Sequence, residues 1–246
     1  MTLSLAQLPP HDIEGRPYRL LDLFCGAGGA AMGYHRVGFE VVGVDIKPQP
    51  HYPFEFIQAD ITDEDFEFDM DVWGFDAIHA SPPCQVYSRL RRGHGHPDLI
   101  AWVRDWILRQ SDGDGLTLPY IIENVPGSPL PSPIQLCGTS FGRTWAGPEG
   151  TFELRRHRWF ETSFPIFAPP CVHRYRVLGV YGDISSKIRL NNAGRRPRGD
   201  RKAGLSEASA LLGIDWMTGD ELSQAIPPAY TEYIGRELLK LLKAME

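Results

Sequence analysis

Residues 19–29 read RLLDLFCGAGG, an apolar run that leads directly into a glycine-rich turn. The run predicts a buried strand over residues 19–24, and the pattern after the turn predicts a helix over residues 30–37. Glycines in such a turn let the backbone approach a ligand with no Cβ in the way. This unit therefore predicts the start of an α/β fold and a place where a ligand can bind.

The rest of the first half repeats this alternation of short apolar runs with turn signals. Further strands are predicted over residues 39–44, 54–57, 75–80 and 120–123, with a helix over residues 99–110. Strands that alternate with helices pair in parallel, so we expect an α/β fold with an open, mostly parallel, doubly wound sheet. Helical patterns return over residues 206–212 and 230–244.

The composition changes after Trp159 and predicts a second, smaller unit. Residues 160–204 are rich in Pro, Gly, Arg and Asn, with one strand-like piece over residues 176–181. We therefore expect a small loop-rich lobe over residues 160–204. Residues 1–159 and 205–246 are expected to form the main domain around the sheet.

The bulk properties are typical of a globular protein in a reducing compartment. The chain has 246 residues, 42% of them hydrophobic, and no apolar stretch approaches the ~20 residues that span a bilayer. Its four cysteines show no spacing of a disulfide framework. The first residues lack a basic flank followed by an apolar block, so no signal peptide is predicted. We expect a cytoplasmic protein without a membrane partner.

The charge is unevenly distributed along the chain. The net charge is −6, but residues 155–202 hold 12 basic and 3 acidic side chains, against 4 basic and 14 acidic in residues 1–80. A polyanion would meet a favourable field at the basic segment, although a solvated basic loop explains the charge equally well. In this segment Arg201 and Lys202 are predicted to contact phosphates, as are the arginines at 195, 196 and 198, while the asparagines at 191 and 192 are weaker candidates for base contacts.

Two acidic residues follow predicted strands on the side of the glycine-rich turn. Asp45 ends the second strand, where a carboxylate can accept hydrogen bonds from ribose hydroxyls, and Asp60 follows the third, where it can accept from an adenine amino group. Residues 26–31 also fit the G-x-G-x-x-A pattern of a nicotinamide dinucleotide site. This segment alone does not decide between a nicotinamide dinucleotide and another cofactor that contains adenosine.

Three features predict chemistry at the same edge of the sheet. Cys84 follows two prolines after the fourth strand and is a candidate nucleophile, with the arginines at 89, 91 and 92 as a source of positive charge. Glu123 ends the fifth strand and can act as an acid if burial raises its pKa. Arg156 and Arg158 can hold a developing negative charge. Each has an ordinary alternative: a buried thiol, a capping carboxylate and basic residues at a strand start.

Four further residues raise the question of a metal site. Cys137, His157, Cys171 and His173 are all metal-ligating types, but their spacing fits no common zinc pattern. The spacing therefore predicts no metal site.

Taken together, these blocks resemble the cytosine-5 DNA methyltransferase family, in the family's order and across most of the chain. The matching stretches are DLFCGAGG at 22–29, PPCQ at 82–85, ENV at 123–125, Arg156 and Arg158 of a Q-x-R-x-R block with Leu154 in place of glutamine, LSEASALLG at 205–213, and SQAIPPAYTEYIG at 223–235. The combination is much more specific than any one block.

The resemblance implies a Rossmann-like methyltransferase fold that uses S-adenosylmethionine and releases S-adenosylhomocysteine. It implies that a cytosine is flipped out of double-stranded DNA, that a cysteine adds to C6, and that C5 is methylated. The implied catalytic residues are Cys84, Glu123, Arg156 and Arg158. The implied cofactor-binding residues are Phe24, Gly26, Gly28, Asp45, Ile46, Asp60, Ile61, Pro82 and Gln224.

The departures from the family pattern shape the remaining expectations. Ser223 and Gln224 stand where the family has Gly-Asn, which allows an altered donor. The recognition region over residues 160–204 is short, like that of phage and prophage members, and predicts a short target sequence and a restriction-modification or phage setting. A monomer without an obligate protein partner is expected, in the cytoplasm of a bacterial or phage-infected cell. The alternatives are an RNA cytosine methyltransferase, a nicotinamide-dependent oxidoreductase and a DNA-binding protein without catalysis.

Overall fold

The computed structural model describes residues 15–63, 74–84, 87, 98–109, 118–184 and 200–245. The strands in these ranges are β1 (Arg19–Leu23), β2 (Glu40–Asp45), β3 (Glu55–Gln58), β4 (Ala77–Ala80), β5 (Tyr120–Asn124), β6 (Ile134–Leu136), β7 (Thr144–Gly147), β8 (Gly150–Glu153), β9 (Arg158–Thr162), β10 (Arg176–Gly179) and β11 (Arg201–Lys202). The helices are α1 (Gly29–Arg36), α2 (Leu99–Arg109), α3 (Leu205–Leu212), α4 (Gly219–Gln224) and α5 (Pro228–Met245), with a 3-10 helix over Gly138–Phe141. Among these helices, none is long and apolar enough to cross a membrane.

The main sheet has seven strands in the order β3-β2-β1-β4-β5-β9-β6. The first five are parallel neighbours, and every residue of β1 at its centre is buried. Apolar side chains form a buried cluster on either side of the sheet, one with α1 and α5 and the other with α2. The predicted fold class is confirmed, and the five predicted strands differ from the observed ones by only one or two residues at their ends.

Strand β9 runs antiparallel between β5 and β6, with Glu123 opposite Phe160 and Asn124 opposite Trp159. Its first residue therefore lies at the edge of the sheet where the parallel strands end. The change in composition after Trp159 falls inside this strand, because composition marks the loop that follows β9 and not the strand itself. Residues 158–162 belong to the main sheet.

A second sheet of four strands has the order β11-β10-β8-β7. Helices α3 and α4 cover it with a shared apolar cluster that contains Phe152, Leu178 and Leu211. Strands β7 and β8 come from residues 144–153, so this sheet begins earlier in the chain than the predicted lobe at 160–204. The role of residues 160–204 in target recognition stays a prediction, and residues 185–199 lie outside the described residues.

Helices α1 and α5 pack so closely that their contact requires glycine. A Cβ on Gly33 would lie 2.0 Å from Thr231 Oγ1, and one on Gly29 would lie 2.6 Å from the carbonyl oxygen of Ile226. The Thr231 hydroxyl donates to the Ala30 carbonyl at 2.8 Å. The C-terminal part of the chain is thereby held against the helix that follows the glycine-rich turn.

A buried ion pair joins the second sheet to α3. The Arg201 guanidinium donates to both carboxylate oxygens of Glu207 at 2.6 and 2.7 Å, and the side chain of Arg201 is only 3% exposed. Glu207 also accepts from the backbone N–H of Gly204 at the start of α3. The predicted contact of Arg201 with phosphate is wrong, because its guanidinium is buried and paired with Glu207.

Replacing Glu207 with alanine should lower the free energy of unfolding by about 3–5 kcal/mol, because the Arg201 guanidinium would stay buried without its main counter-charge. Urea unfolding followed by circular dichroism measures this loss. The matched control is Lys240→Ala, which breaks the exposed Lys240–Glu237 pair and should cost less than about 1 kcal/mol. Equal losses in the two variants would contradict a structural role for the buried pair.

Candidate active site

The loop that carries Cys84 leaves β4 and is held by two side chains from the sheet. His79 is fully buried on β4 and lies between the Tyr34 hydroxyl at 2.9 Å and the Ser81 hydroxyl at 2.8 Å. Burial lowers the pKa of His79 to about 3, so the ring is neutral and each ring nitrogen serves one hydroxyl. Asn124 Nδ2 donates to the Pro82 carbonyl at 2.9 Å. The sequence analysis missed His79, although a histidine inside an apolar strand is itself a signal.

Glu123 and Arg158 form an ion pair beside this loop. Glu123 is buried at the end of β5, and the distance from Arg158 Nε to Glu123 Oε1 is 3.0 Å. The antiparallel direction of β9 makes the pair possible, since it puts the start of one strand beside the end of the other. Burial raises the pKa of Glu123, while the positive charges of Arg158 and Arg156 oppose that rise. The carboxyl is therefore more easily protonated than an exposed glutamate.

Cys84 lies within the electrostatic reach of this pair. Burial raises the pKa of the Cys84 thiol, the charge of Arg158 lowers it, and the carboxylate of Glu123 raises it. The thiol form is thus favoured in the protein alone, and Arg158 favours the reactive thiolate. The arginines at 89, 91 and 92, from which this positive charge was expected, lie outside the described residues.

The pH at which Cys84 becomes reactive should depend on both members of the pair. Arg158→Ala should shift Cys84 alkylation to higher pH, because it removes a charge that stabilises the thiolate. Glu123→Gln should shift it to lower pH, because it removes a repelling carboxylate. Iodoacetamide labelling across pH, with each cysteine-containing peptide quantified by mass spectrometry, measures both shifts. Shifts in the same direction for the two variants would contradict this arrangement.

Arg156 contacts the protein backbone with its whole guanidinium. It donates to the carbonyls of Ala225 at 2.9 Å, Val180 at 2.6 Å and Ser223 at 2.8 Å. Burial and the neighbouring Arg158 lower the pKa of Arg156 to about 9, so the group remains charged at neutral pH. These three bonds join the start of β9 to the second sheet and to the end of α4, and the catalytic role of Arg156 stays a prediction.

Arg156→Ala should therefore lower the free energy of unfolding by at least about 3 kcal/mol, because three carbonyls lose a charged donor. Arg158→Ala should cost less, because Glu123 can take up a proton when its partner is removed. Urea unfolding of both variants at neutral pH gives the comparison. A greater loss for Arg158→Ala would reverse the roles assigned to the two arginines.

The glycine-rich turn between β1 and α1 has three alternate residues with positive φ, which shape it as a ligand cradle. Phe24 adopts φ 57°, Gly26 φ 50° and Gly28 φ 84°, and a Cβ on Gly26 would meet no atom within 4 Å. The left-handed conformation of Phe24 costs about 1–3 kcal/mol in a residue with a side chain. Asp45, at the end of β2, accepts from the backbone N–H of Gly26 at 3.1 Å. The turn is thus fixed by the neighbouring strand.

The other predicted cofactor residues lie around the same edge. Ile46 is 57% exposed beside Asp45, which leaves an apolar surface for a ligand. Asp60 is exposed after β3 and accepts from the N–H and hydroxyl of Thr62, while Ile61 is buried behind it. The structure thereby brings together residues from the ends of three parallel strands.

Gln224 ends α4, and the segment after it packs on the turn. Gln224 is exposed, and the following residues Ala225 and Ile226 approach Gly29. Trp216, which the sequence analysis missed, donates from Nε1 to the Ala27 carbonyl at 2.9 Å. The C-terminal segment therefore forms one wall of the cradle. Its tryptophan could have been found only from long-range contacts.

The fold and the site define a class of protein: an α/β protein whose parallel sheet presents a ligand cradle, a cysteine and a carboxyl-guanidinium pair at one edge. Residues 18–99 match the family model described as C-5 cytosine-specific DNA methylase. The matched stretch is 82 of the chain's 246 residues, and it contains the glycine-rich turn, Asp45, Asp60 and Cys84. A search of curated protein sequences finds no match.

Solved structures share the fold over nearly the whole chain. One, described as a candidate DNA modification methyltransferase encoded within an E. coli prophage, has a TM-score of 0.51 at 15% identity. The S. pombe Dnmt2 methyltransferase gives 0.59 at 14%, and the Entamoeba histolytica methyltransferase EhMeth gives 0.59 at 13%. Each match covers 92% of this chain and 99% of the other. At these identities the likeness establishes the Rossmann-like methyltransferase fold.

Proposed function

We propose that this chain methylates C5 of a cytosine flipped out of double-stranded DNA, with S-adenosylmethionine as donor and Cys84 as covalent nucleophile. The observation that carries the proposal is the position of Cys84 beside the buried Glu123–Arg158 pair. A nucleophile, a proton donor and a fixed positive charge are what addition to the cytosine ring requires. No single one of them would be specific.

The first step is the addition of Cys84 to C6. C6 is a weak electrophile until N3 is protonated or hydrogen-bonded, and Glu123 supplies that proton because burial favours its neutral form. Arg158 holds O2 and offsets the negative charge that develops when the sulfur–C6 bond forms. The electrons of the C5–C6 double bond then become available at C5.

The second step is methylation and release. When bound, S-adenosylmethionine supplies an electrophilic methyl group on a sulfonium. C5 would take that methyl group as the bond between the methyl carbon and the sulfonium sulfur breaks and leaves S-adenosylhomocysteine, and the C5 proton would then leave to a base. Its bonding electrons restore the C5–C6 double bond and expel Cys84 as a thiolate. Glu123 recovers its proton from N3, and the chain returns to its starting state.

The cradle fits the proposed donor. A Cβ on Gly26 would meet no atom within 4 Å, so the backbone there is open to a ligand, and Asp45 at the end of β2 can accept from ribose hydroxyls. The exposed Ile46 can cover one face of adenine, and Asp60 can accept from its amino group. The remaining predicted members are Phe24, Gly28, Ile61, Pro82 and Gln224.

Several observations favour DNA methylation over the alternatives. The matching family model is that of a DNA methylase, and residues 155–202 carry the basic charge that a nucleic acid would meet. An oxidoreductase would leave Cys84, Glu123 and Arg158 without a joint role, and a binding protein would not need them. RNA remains the alternative substrate. The phage or restriction-modification setting, the cytoplasmic location and the monomeric state are parts of the same proposal.

Expression in a host that lacks cytosine methylation should yield 5-methyldeoxycytidine in digested DNA, measured by mass spectrometry. Cys84→Ala should abolish the product, because no other described group can add to C6 in this geometry.

With purified protein, Glu123→Gln should lower turnover on duplex DNA by about 10²–10⁴-fold, because glutamine cannot donate the proton. Both variants should unfold at wild-type urea concentrations, which separates loss of chemistry from loss of folding.

The same assay with folded RNA in place of duplex DNA tests the substrate. Methylation of RNA alone would overturn the DNA assignment and keep the chemistry. A cytosine adduct of another mass would show that S-adenosylmethionine is not the donor. Gln224, which departs from the family pattern, is the reason to measure this mass. Product formation by Cys84→Ala would overturn the covalent mechanism.

A further inference from the structure

Four side chains from three separate segments of the chain converge outside the active site. The potential ligand atoms of Cys137, His157, Cys171 and His173 all lie within 4.8 Å of one another. Nε2 of His173 is 3.1 Å from Cys171 Sγ and 3.5 Å from Cys137 Sγ. Nε2 of His157 is 3.4 Å from Cys171 Sγ. Two sulfurs and two imidazole nitrogens therefore face a common centre.

Three of the distances in the cluster are close to those in a tetrahedral zinc site. Zinc bonds of about 2.3 Å to sulfur and about 2.0–2.1 Å to nitrogen place neighbouring sulfur and nitrogen ligands about 3.6 Å apart. The three sulfur–nitrogen distances above lie within a few tenths of an ångström of that separation. Two cysteines and two histidines form a common ligand set for structural zinc. The spacing argument against a metal site fails because the residues come from three separate segments.

The cluster joins the main sheet to the loop that leads into the second sheet. Cys137 follows β6, His157 directly precedes β9, and the other two ligands lie in the loop between β9 and β10. Cys137 is buried, whereas Cys171 and His173 are exposed. The main sheet thus fixes the positions of Cys137 and His157, and the loop brings Cys171 and His173 to them.

A hydroxyl group lies beside both sulfurs. Thr139 Oγ1 is 3.1 Å from Cys137 Sγ and 3.9 Å from Cys171 Sγ. Groups that hydrogen-bond to the ligands orient them and tune the metal, and a hydroxyl can donate to a metal-bound thiolate. The surroundings therefore fit metal-bound thiolates.

We propose that Cys137, His157, Cys171 and His173 bind one structural Zn²⁺ that fastens the loop of residues 163–175 to the start of β9. Four protein ligands complete a tetrahedral shell and leave no open position for catalysis. His157 lies between Arg156 and Arg158 in the chain, so the metal also restrains the backbone from which Arg158 reaches Glu123. The site is independent of the proposed methyl transfer, and its test does not use activity.

The protein should be purified without chelators and analysed for metals by inductively coupled plasma mass spectrometry. The expected result is one zinc per chain. Replacement of the zinc by cobalt(II) should give the intense visible bands of a tetrahedral site with thiolate-to-metal charge transfer. Cys171→Ser and His173→Gln should each lower the bound zinc at least tenfold, and both are surface changes that leave the core intact.

Matched controls use the same residue types outside the cluster. Cys84→Ala and His51→Ala should keep the full zinc content, since neither side chain belongs to the cluster. In the Cys171→Ser variant, hydrogen exchange should rise in residues 163–175 and at the start of β9, while β1 and β2 stay protected.

Three outcomes would overturn the proposal. One is the absence of zinc from reduced protein together with no cobalt spectrum. Another is a Cys137–Cys171 disulfide in protein that takes up no metal after reduction. The third is a zinc content that survives the combined Cys171→Ser and His173→Gln changes, which would place the metal elsewhere.

Discussion

The antiparallel insertion of β9 between β5 and β6 is the constraint on which the site depends. Parallel strands deliver the glycine-rich turn, Asp45, Cys84 and Glu123 to one edge, because all of them end there. Arg158 is the first residue of its strand, so its charge reaches that edge only because β9 runs antiparallel to the strands that end there. With β9 in parallel, Arg158 would lie at the far end of the sheet from Glu123.

Three consecutive side chains at the start of β9 have three different roles. Arg156 holds three backbone carbonyls, among them those of Ser223 and Ala225 near the cradle. His157 turns toward the two cysteines, and Arg158 pairs with Glu123. One short stretch thus connects the second sheet, the C-terminal segment and the chemistry. A displacement of its backbone would reach all three, which is why the start of β9 needs more support than a strand end normally has.

The parallel half of the fold could be predicted from sequence because each of its strands is a local apolar run followed by a turn. The antiparallel half could not, since β6 and β9 pair with each other, and β9 with β5, through contacts between residues that are distant in sequence. The same division runs through the site. Cys84 follows a predicted strand and Glu123 ends one, so the sequence predicts both at the same edge, whereas Arg156 and Arg158 look alike in sequence and differ only in what surrounds them. His79, Asn124 and Trp216 act through contacts that no local pattern contains.

The proposed reaction requires opposite protonation states of two neighbouring groups in the site. The proposed reaction needs Cys84 as thiolate and Glu123 as acid, yet the charge of Arg158 favours the ionised form of both groups, and burial favours the neutral form of both. In the protein alone neither demand is met fully. In the proposed reaction, O2 of a bound cytosine would compete with the Glu123 carboxylate for the Arg158 guanidinium. Glu123 would then experience less of the positive charge that opposes its protonation, which is the direction that proton donation to N3 requires.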